Sequence, residues 1–125
     1  MTAADAWPTE IRLDEGGRLL RIRFDDGAAY TLPAEYLRVF SPSAEVQGHS
    51  EAERKTVGGK RAVAILEAAP VGNYAVRLDF DDMHRTGIFT WRYLYALGAA
   101  QDANFAAYLA ALAAKGLDRD HPGEK

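Results

Sequence analysis

Leu20, Ile22 and Phe24 alternate with Arg21, Arg23 and Asp25, and the run closes on Asp26-Gly27. Apolar residues at every second position share one face of a strand. Asp-Gly after such a run favours the backbone of a tight hairpin turn. The chain therefore turns back on itself, and Ala28 to Leu32 supplies the returning strand. Upstream, Glu10 to Leu13 reads as another short strand, joined through a turn at Glu15-Gly16-Gly17. Three antiparallel strands in a meander open the fold.

Pro33 begins a short helix over Ala34 to Val39, because proline suits the first helical position. Tyr36, Leu37 and Phe40 are expected to face inward, and Ser41-Pro42-Ser43 stops the helix. Glu45 to Lys60 is a polar loop containing Gly48, Gly58 and Gly59. Ala62 to Ala68 and Asn73 to Phe80 form a second hairpin around Pro70-Val71-Gly72-Asn73. Thr90 suits a helix N-cap, Trp91, Leu94 and Leu97 follow at helical spacing, and Gly98 suits a stop. Asp102 can cap the next helix, whose apolar stripe is Phe105, Tyr108, Leu109 and Leu112 and which ends at Gly116. Strands followed by helices predict an α+β fold. It comprises a small antiparallel β-sheet, a meander plus a second hairpin, with a short helix and C-terminal helices packed on it. Residues 1–8 are expected as a flexible tail, 9–116 as a single domain and 117–125 as a flexible charged tail.

The chain has 125 residues, enough for one domain whose core needs no disulfide or metal. It has no cysteine, which excludes disulfides, thiol redox chemistry and cysteine-held clusters. A net charge of −3 argues against a nucleic-acid binder, which carries a basic excess. Met1 to Trp7 lacks the basic and apolar regions of a signal peptide. No apolar run approaches the roughly 18 residues of a membrane span. A cytoplasmic location is expected.

Several motifs can be weighed directly. His49-Ser50-Glu51 with His84 or His121 formally matches a two-histidine, one-carboxylate iron site, but His-x-Glu alone is common. Arg54-Lys55 and Lys60-Arg61 are offset by Glu51 and Glu53, the pattern of a solvated loop. Gly58-Gly59-Lys60 lacks the other elements of a phosphate loop. Phe89, Trp91, Tyr93 and Tyr95 read as core aromatics, with Tyr93 or Tyr95 left exposed. No serine has a credible histidine–acid pair nearby in sequence, so a hydrolase triad is unsupported.

Two stretches carry a resemblance: Leu37-Arg38-Val39-Phe40-Ser41-Pro42-Ser43-Ala44-Glu45-Val46, and Asp82-Met83-His84-Arg85-Thr86-Gly87. Pro8-Thr9-Glu10-Ile11, Asp25-Asp26-Gly27 and Val71-Gly72-Asn73-Tyr74-Ala75 add to it in the same order. Together they resemble the domain of unknown function 971 family, also called the γ-butyrobetaine hydroxylase-like N-terminal domain. Its zinc-binding members read roughly L-R-x-x-C-x-C-x-x-C and D-G-H-x-T-G. Three thiolates and one imidazole there make a closed structural site. In this chain Ser41, Ser43 and Val46 stand at the cysteine positions, His84 is retained, and Met83 replaces the usual glycine.

The resemblance implies a retained fold without the metal, with Phe40, Val46 and Met83 as apolar fillers and no cofactor. Family members stand alone or are fused to 2-oxoglutarate dioxygenases or to P-loop ATPases carrying iron–sulfur clusters. That implies a non-catalytic accessory module whose partner is another cytoplasmic protein, an iron–sulfur carrier ATPase among the candidates. Arg38, Phe40, Glu45 and His49 are the candidate partner-binding residues. The alternative is a small-ligand or metal-binding protein, or an enzyme, using the vestigial site around His84 with Asp81 and Asp82.

Overall fold

The computed structural model describes residues 6–42, 57–85 and 87–120. Strands β1 (Pro8–Asp14), β2 (Leu19–Phe24) and β3 (Ala29–Pro33) form an antiparallel meander in the order β1-β2-β3. Ile22 lies opposite Ile11 and Tyr30, and Leu20 opposite Leu13 and Leu32. The alternation thus aligns the apolar residues of three strands on one face, where Leu20, Ile22 and Phe24 are buried. The Asp26-Gly27 turn closes with the Phe24 amide donating to the Ala28 carbonyl at 2.8 Å.

Helix α1 (Ala34–Val39) follows β3 directly and buries Ala34, Glu35, Tyr36, Leu37 and Val39. The Tyr36 hydroxyl donates to the Leu97 carbonyl at 2.6 Å and accepts from Asn104 Nδ2 at 3.0 Å. The short helix is thereby tied to both later helices.

The second sheet contains β4 (Ile65–Val71), β5 (Ala75–Phe80) and β6 (Gly87–Thr90), antiparallel in the order β4-β5-β6. β6 adds a strand to the expected hairpin. Four residues are too few to display a period, and the strand is defined by its pairing with β5, Phe89 opposite Val76. Helices α2 (Trp91–Ala99) and α3 (Gln101–Ala114) complete the order. The Thr90 Oγ1 accepts from the Tyr93 amide at 3.1 Å, the expected cap. The main core joins inner residues of both sheets, such as Leu20, Leu32, Leu78 and Phe89, to Tyr36, Leu37 and Leu94. Val39, Tyr108 and Leu112 form a smaller cluster where α1 meets α3.

Two expectations in the helices change. Gly98 lies inside α2, because the Tyr30 ring packs against it. Asp102 lies in the first turn of α3, where Ala100 takes the cap position without a side-chain bond.

Segments read from sequence as tails make specific contacts. Ala6 is buried, and the Trp7 amide donates to Asp25 Oδ1 at 3.2 Å. At the other end, Gly59 N donates to the Asp118 carbonyl at 2.9 Å and Arg61 N to the Arg119 carbonyl at 3.0 Å. Arg119 clamps Glu35 through Nε–Oε2 at 2.7 Å and Nη2–Oε1 at 2.6 Å. Among the described residues, no helix is long and apolar enough to cross a membrane.

Candidate functional site

The end of α1 and the β5–β6 turn place the two described family-motif positions together. After Val39 the chain leaves the helix, and Ser41 N donates to the Arg38 carbonyl at 3.4 Å. Ser41 is fully buried there. Beyond β5, Phe80 N donates to the His84 carbonyl at 2.9 Å and Met83 N to the Phe80 carbonyl at 3.2 Å. The His84 amide donates to Asp82 Oδ1 at 3.2 Å. This tight turn holds the His84 ring inward, 4% exposed, with its centroid 5.9 Å from that of Phe80. Ser41 Oγ and His84 Nε2 lie 2.9 Å apart in a hydrogen bond whose direction follows the imidazole tautomer. Gly87 presses on the pair, since a side-chain carbon there would fall 2.6 Å from Ser41 Oγ.

A charged cluster flanks this contact. Asp82 Oδ2 accepts from Arg38 Nε at 2.8 Å and from Lys60 Nζ at 2.5 Å. Burial pushes the Asp82 carboxyl up, but hydrogen bonds and charge from Lys60 and Arg38 outweigh it and hold the group below its usual value. One carboxylate thus fastens α1, the segment before β4 and the β5–β6 turn. Arg38 is 12% exposed at its side chain, and its Nη1 is buried with no hydrogen-bond partner among the described residues.

These positions decide what the site offers chemically. Arg38, a candidate partner contact from sequence, is engaged inside the fold with Asp82. Phe40 is half-buried, and its carbonyl accepts from the Tyr93 hydroxyl at 2.5 Å. Met83, expected as an apolar filler, is instead 80% exposed. Its φ of 76° is that of a tight turn, and this backbone carries the side chain outward. Ser43, Glu45, Val46 and His49 lie outside the described residues, as do Glu51 and Arg54-Lys55. Tyr93 and Tyr95 are not free aromatics, since the Tyr95 hydroxyl donates to Asp26 Oδ2 at 2.6 Å and both rings pack on the core. Sequence reasoning missed the Lys60–Asp82 contact and the close approach of Gly87, neither of which has a local signal.

Ser41 and His84 bring an oxygen and a nitrogen into hydrogen-bond contact in the interior. Asp82 reaches the His84 backbone amide and the two cations, and Ser41 and His84 are both buried. Zinc does not fit the described donors. It requires about four ligands, and thiolates supply most of the charge in such sites. A neutral hydroxyl bonded to one imidazole does not replace them. Among the described residues no three His, Asp or Glu side chains are grouped to hold a metal ion.

A model of the gamma-butyrobetaine hydroxylase-like N-terminal family matches residues 11–95. Among solved structures, one determined by NMR in solution is 45% identical, with a TM-score of 0.80, and the match covers 96% of this chain and 94% of that one. A second NMR structure is 43% identical, with a TM-score of 0.80, covering 95% and 89%. A crystal structure of a DUF971-family protein of unknown function from Acidithiobacillus ferrooxidans is 42% identical, with a TM-score of 0.62, covering 74% and 92%. No curated protein matches the chain.

Proposed function

The chain belongs to the gamma-butyrobetaine hydroxylase-like N-terminal family, and we propose that it serves as a non-catalytic accessory module that engages another protein. The observation that carries this reading is the buried Ser41–His84 contact, with exposures of 0% and 4%. A site that works on a substrate needs an opening lined by convergent polar groups. Here those groups face each other. In this reading the Ser41–His84 contact and the surrounding packing take over the structural role that zinc has in zinc-binding relatives. The family resemblance is the support for taking another cytoplasmic protein as the partner in this proposal, an iron–sulfur carrier ATPase among the candidates.

The test uses the intact chain as bait in a native lysate, beside Ser41→Ala and His84→Asn variants verified as folded. A stoichiometric protein partner held equally by all three supports the module. A turnover activity abolished by His84→Asn, with the fold intact, would replace this reading with the enzyme alternative.

A further inference from the structure

The outer face of the β1-β2-β3 meander carries more positive charge than strand alternation requires. Arg12 on β1 lies opposite Arg21 on β2, and Arg21 lies opposite Thr31 on β3. In the neighbouring row Arg23 lies between Glu10 and Ala29. Like charges directly opposite each other destabilise an antiparallel pair, and an uncharged polar residue would keep the alternation as well. Asp14 relieves the arginine pair by forming ion pairs with both Arg21 and Arg12, and Glu10 pairs with Arg12 at 3.3 Å. Two carboxylates thus serve three guanidiniums, an excess of one positive charge in a chain whose net charge is −3. The Arg23 side chain is exposed and makes no hydrogen bond or ion pair with another described residue. Ala29 and Thr31 are short, and beside the three arginines the face dips into a pocket of about 160 Å³.

We propose that this arginine face docks an acidic segment of a partner protein, with one carboxylate in the pocket beside Arg23. The occupant follows from charge and size. A guanidinium is planar and presents paired donors that match a carboxylate, which suits arginine to pairing at interfaces. The pocket is smaller than the roughly 300–1,000 Å³ of sites that enclose a small molecule. It takes a single side chain rather than a whole metabolite. Arg21 and Arg23 lie two residues apart on one strand, a separation of about 7 Å. A second acidic residue of the same segment therefore falls over the row of Arg12 and Arg21. The first carboxylate meets the surplus charge directly and need not displace Asp14 or Glu10. A nucleic-acid strand is a poorer occupant, because its affinity comes from neutralising several phosphates and this face has one charge in excess.

This inference rests on the interaction-module reading and names its surface. The probe is a decapeptide of alternating glutamate and serine, titrated into the intact, nitrogen-15-labelled protein and followed by NMR, which detects weak binding. The control peptide has glutamine in place of glutamate. The expected result is saturable shifts centred on the amides of Arg12, Arg21, Arg23 and Thr31 with the acidic peptide alone, weakening as salt is added. Arg21→Gln with Arg23→Gln should raise Kd at least about tenfold. Arg92→Gln, the same charge change at an exposed position elsewhere, should leave Kd unchanged. The spectra also verify that each variant is folded. Absence of saturable shifts overturns the proposal, as do shifts centred on another face or an equal loss in Arg92→Gln. Inorganic phosphate or a short DNA strand saturating the same amides at lower concentration than the peptide overturns it in favour of a phosphate site. Shifts of these amides with protein concentration alone overturn it in favour of a second copy of the chain. A native partner captured equally by wild type and the double variant overturns this surface while leaving the interaction-module reading intact.

Discussion

Glu35 shows how a single residue can connect chain segments far apart in sequence. It is 5% exposed, lies on α1, and both its oxygens accept from Arg119, which also stacks 5.2 Å from the centre of the Phe105 ring. A buried carboxylate that loses its cation keeps the cost of desolvation without compensation. Arg119→Ala should therefore lower stability by about 1.5–3 kcal/mol, the range for hydrogen bonds to a charged group. Glu35→Gln combined with Arg119→Ala should recover part of that loss. Urea denaturation of the three proteins checks both statements. Asp82 gives a pH-dependent case. Its folded pKa lies below the usual 3.8, so its contribution is fully present above that value and is lost as pH falls through the lower, folded one. Asp82→Asn should cost about 2 kcal/mol at pH 7. The difference from wild type should shrink below pH of about 4, where wild type loses the same interaction. Urea midpoints at the two pH values decide it, and a gap that stays constant would mean that Asp82 acts through packing rather than charge.

At the scale of elements, Gly98 separates what local pattern reveals from what packing decides. A glycine after Leu97 has the signature of a helix end, yet α2 runs through it to Ala99. The reason is a ring from another element: a side-chain carbon at Gly98 would fall 2.4 Å from Tyr30 Cγ and Cδ2. Gly98→Ala gains about 1 kcal/mol of helix propensity but should lose about 1–3 kcal/mol to overpacking, for a lower melting temperature. In a Tyr30→Ala background the same change should become neutral or stabilising, because the clash is gone. Thermal unfolding of the four-member cycle tests this reversal of sign. The same distinction explains what could be read elsewhere. The meander was legible because Leu20, Ile22 and Phe24 state a period and Asp26-Gly27 states a turn. β6 was not, because its four residues have meaning only beside β5. Met83 was misread because apolar character implied burial, whereas its backbone in the turn directs it outward. The Glu35–Arg119 clamp joins residues 84 positions apart and left no local trace.

Across the whole molecule, two three-stranded sheets and the helices enclose one main core of apolar side chains among the described residues. The family motif made the meeting of Ser41 and His84 legible, because their positions in it imply a shared site, and the structure places them 2.9 Å apart. What no pattern in the sequence stated was the close approach of Gly87 to Ser41 and the Asp82 ion-pair cluster beside the pair. Two consequences follow. The purified protein should contain no stoichiometric zinc, and chelator should leave its melting temperature unchanged, because no thiolate is present to bind the ion. Changing Ser41, Ser43 and Val46 together to cysteine should then create a site with His84. Zinc–sulfur and zinc–nitrogen bonds of about 2.3 and 2.0 Å place two tetrahedral ligands roughly 3.5 Å apart. The present Ser41–His84 separation is close to that, and a modest outward shift of the pair would accommodate the ion. Cobalt substitution should give the intense absorption of a tetrahedral thiolate site, elemental analysis should find about one zinc per chain, and the metal should raise the melting temperature. A folded triple-cysteine variant that binds cobalt only through solvent-exposed thiols, with no change when His84 is replaced by asparagine, would show that the Ser41–His84 contact is not the remnant of a ligand set.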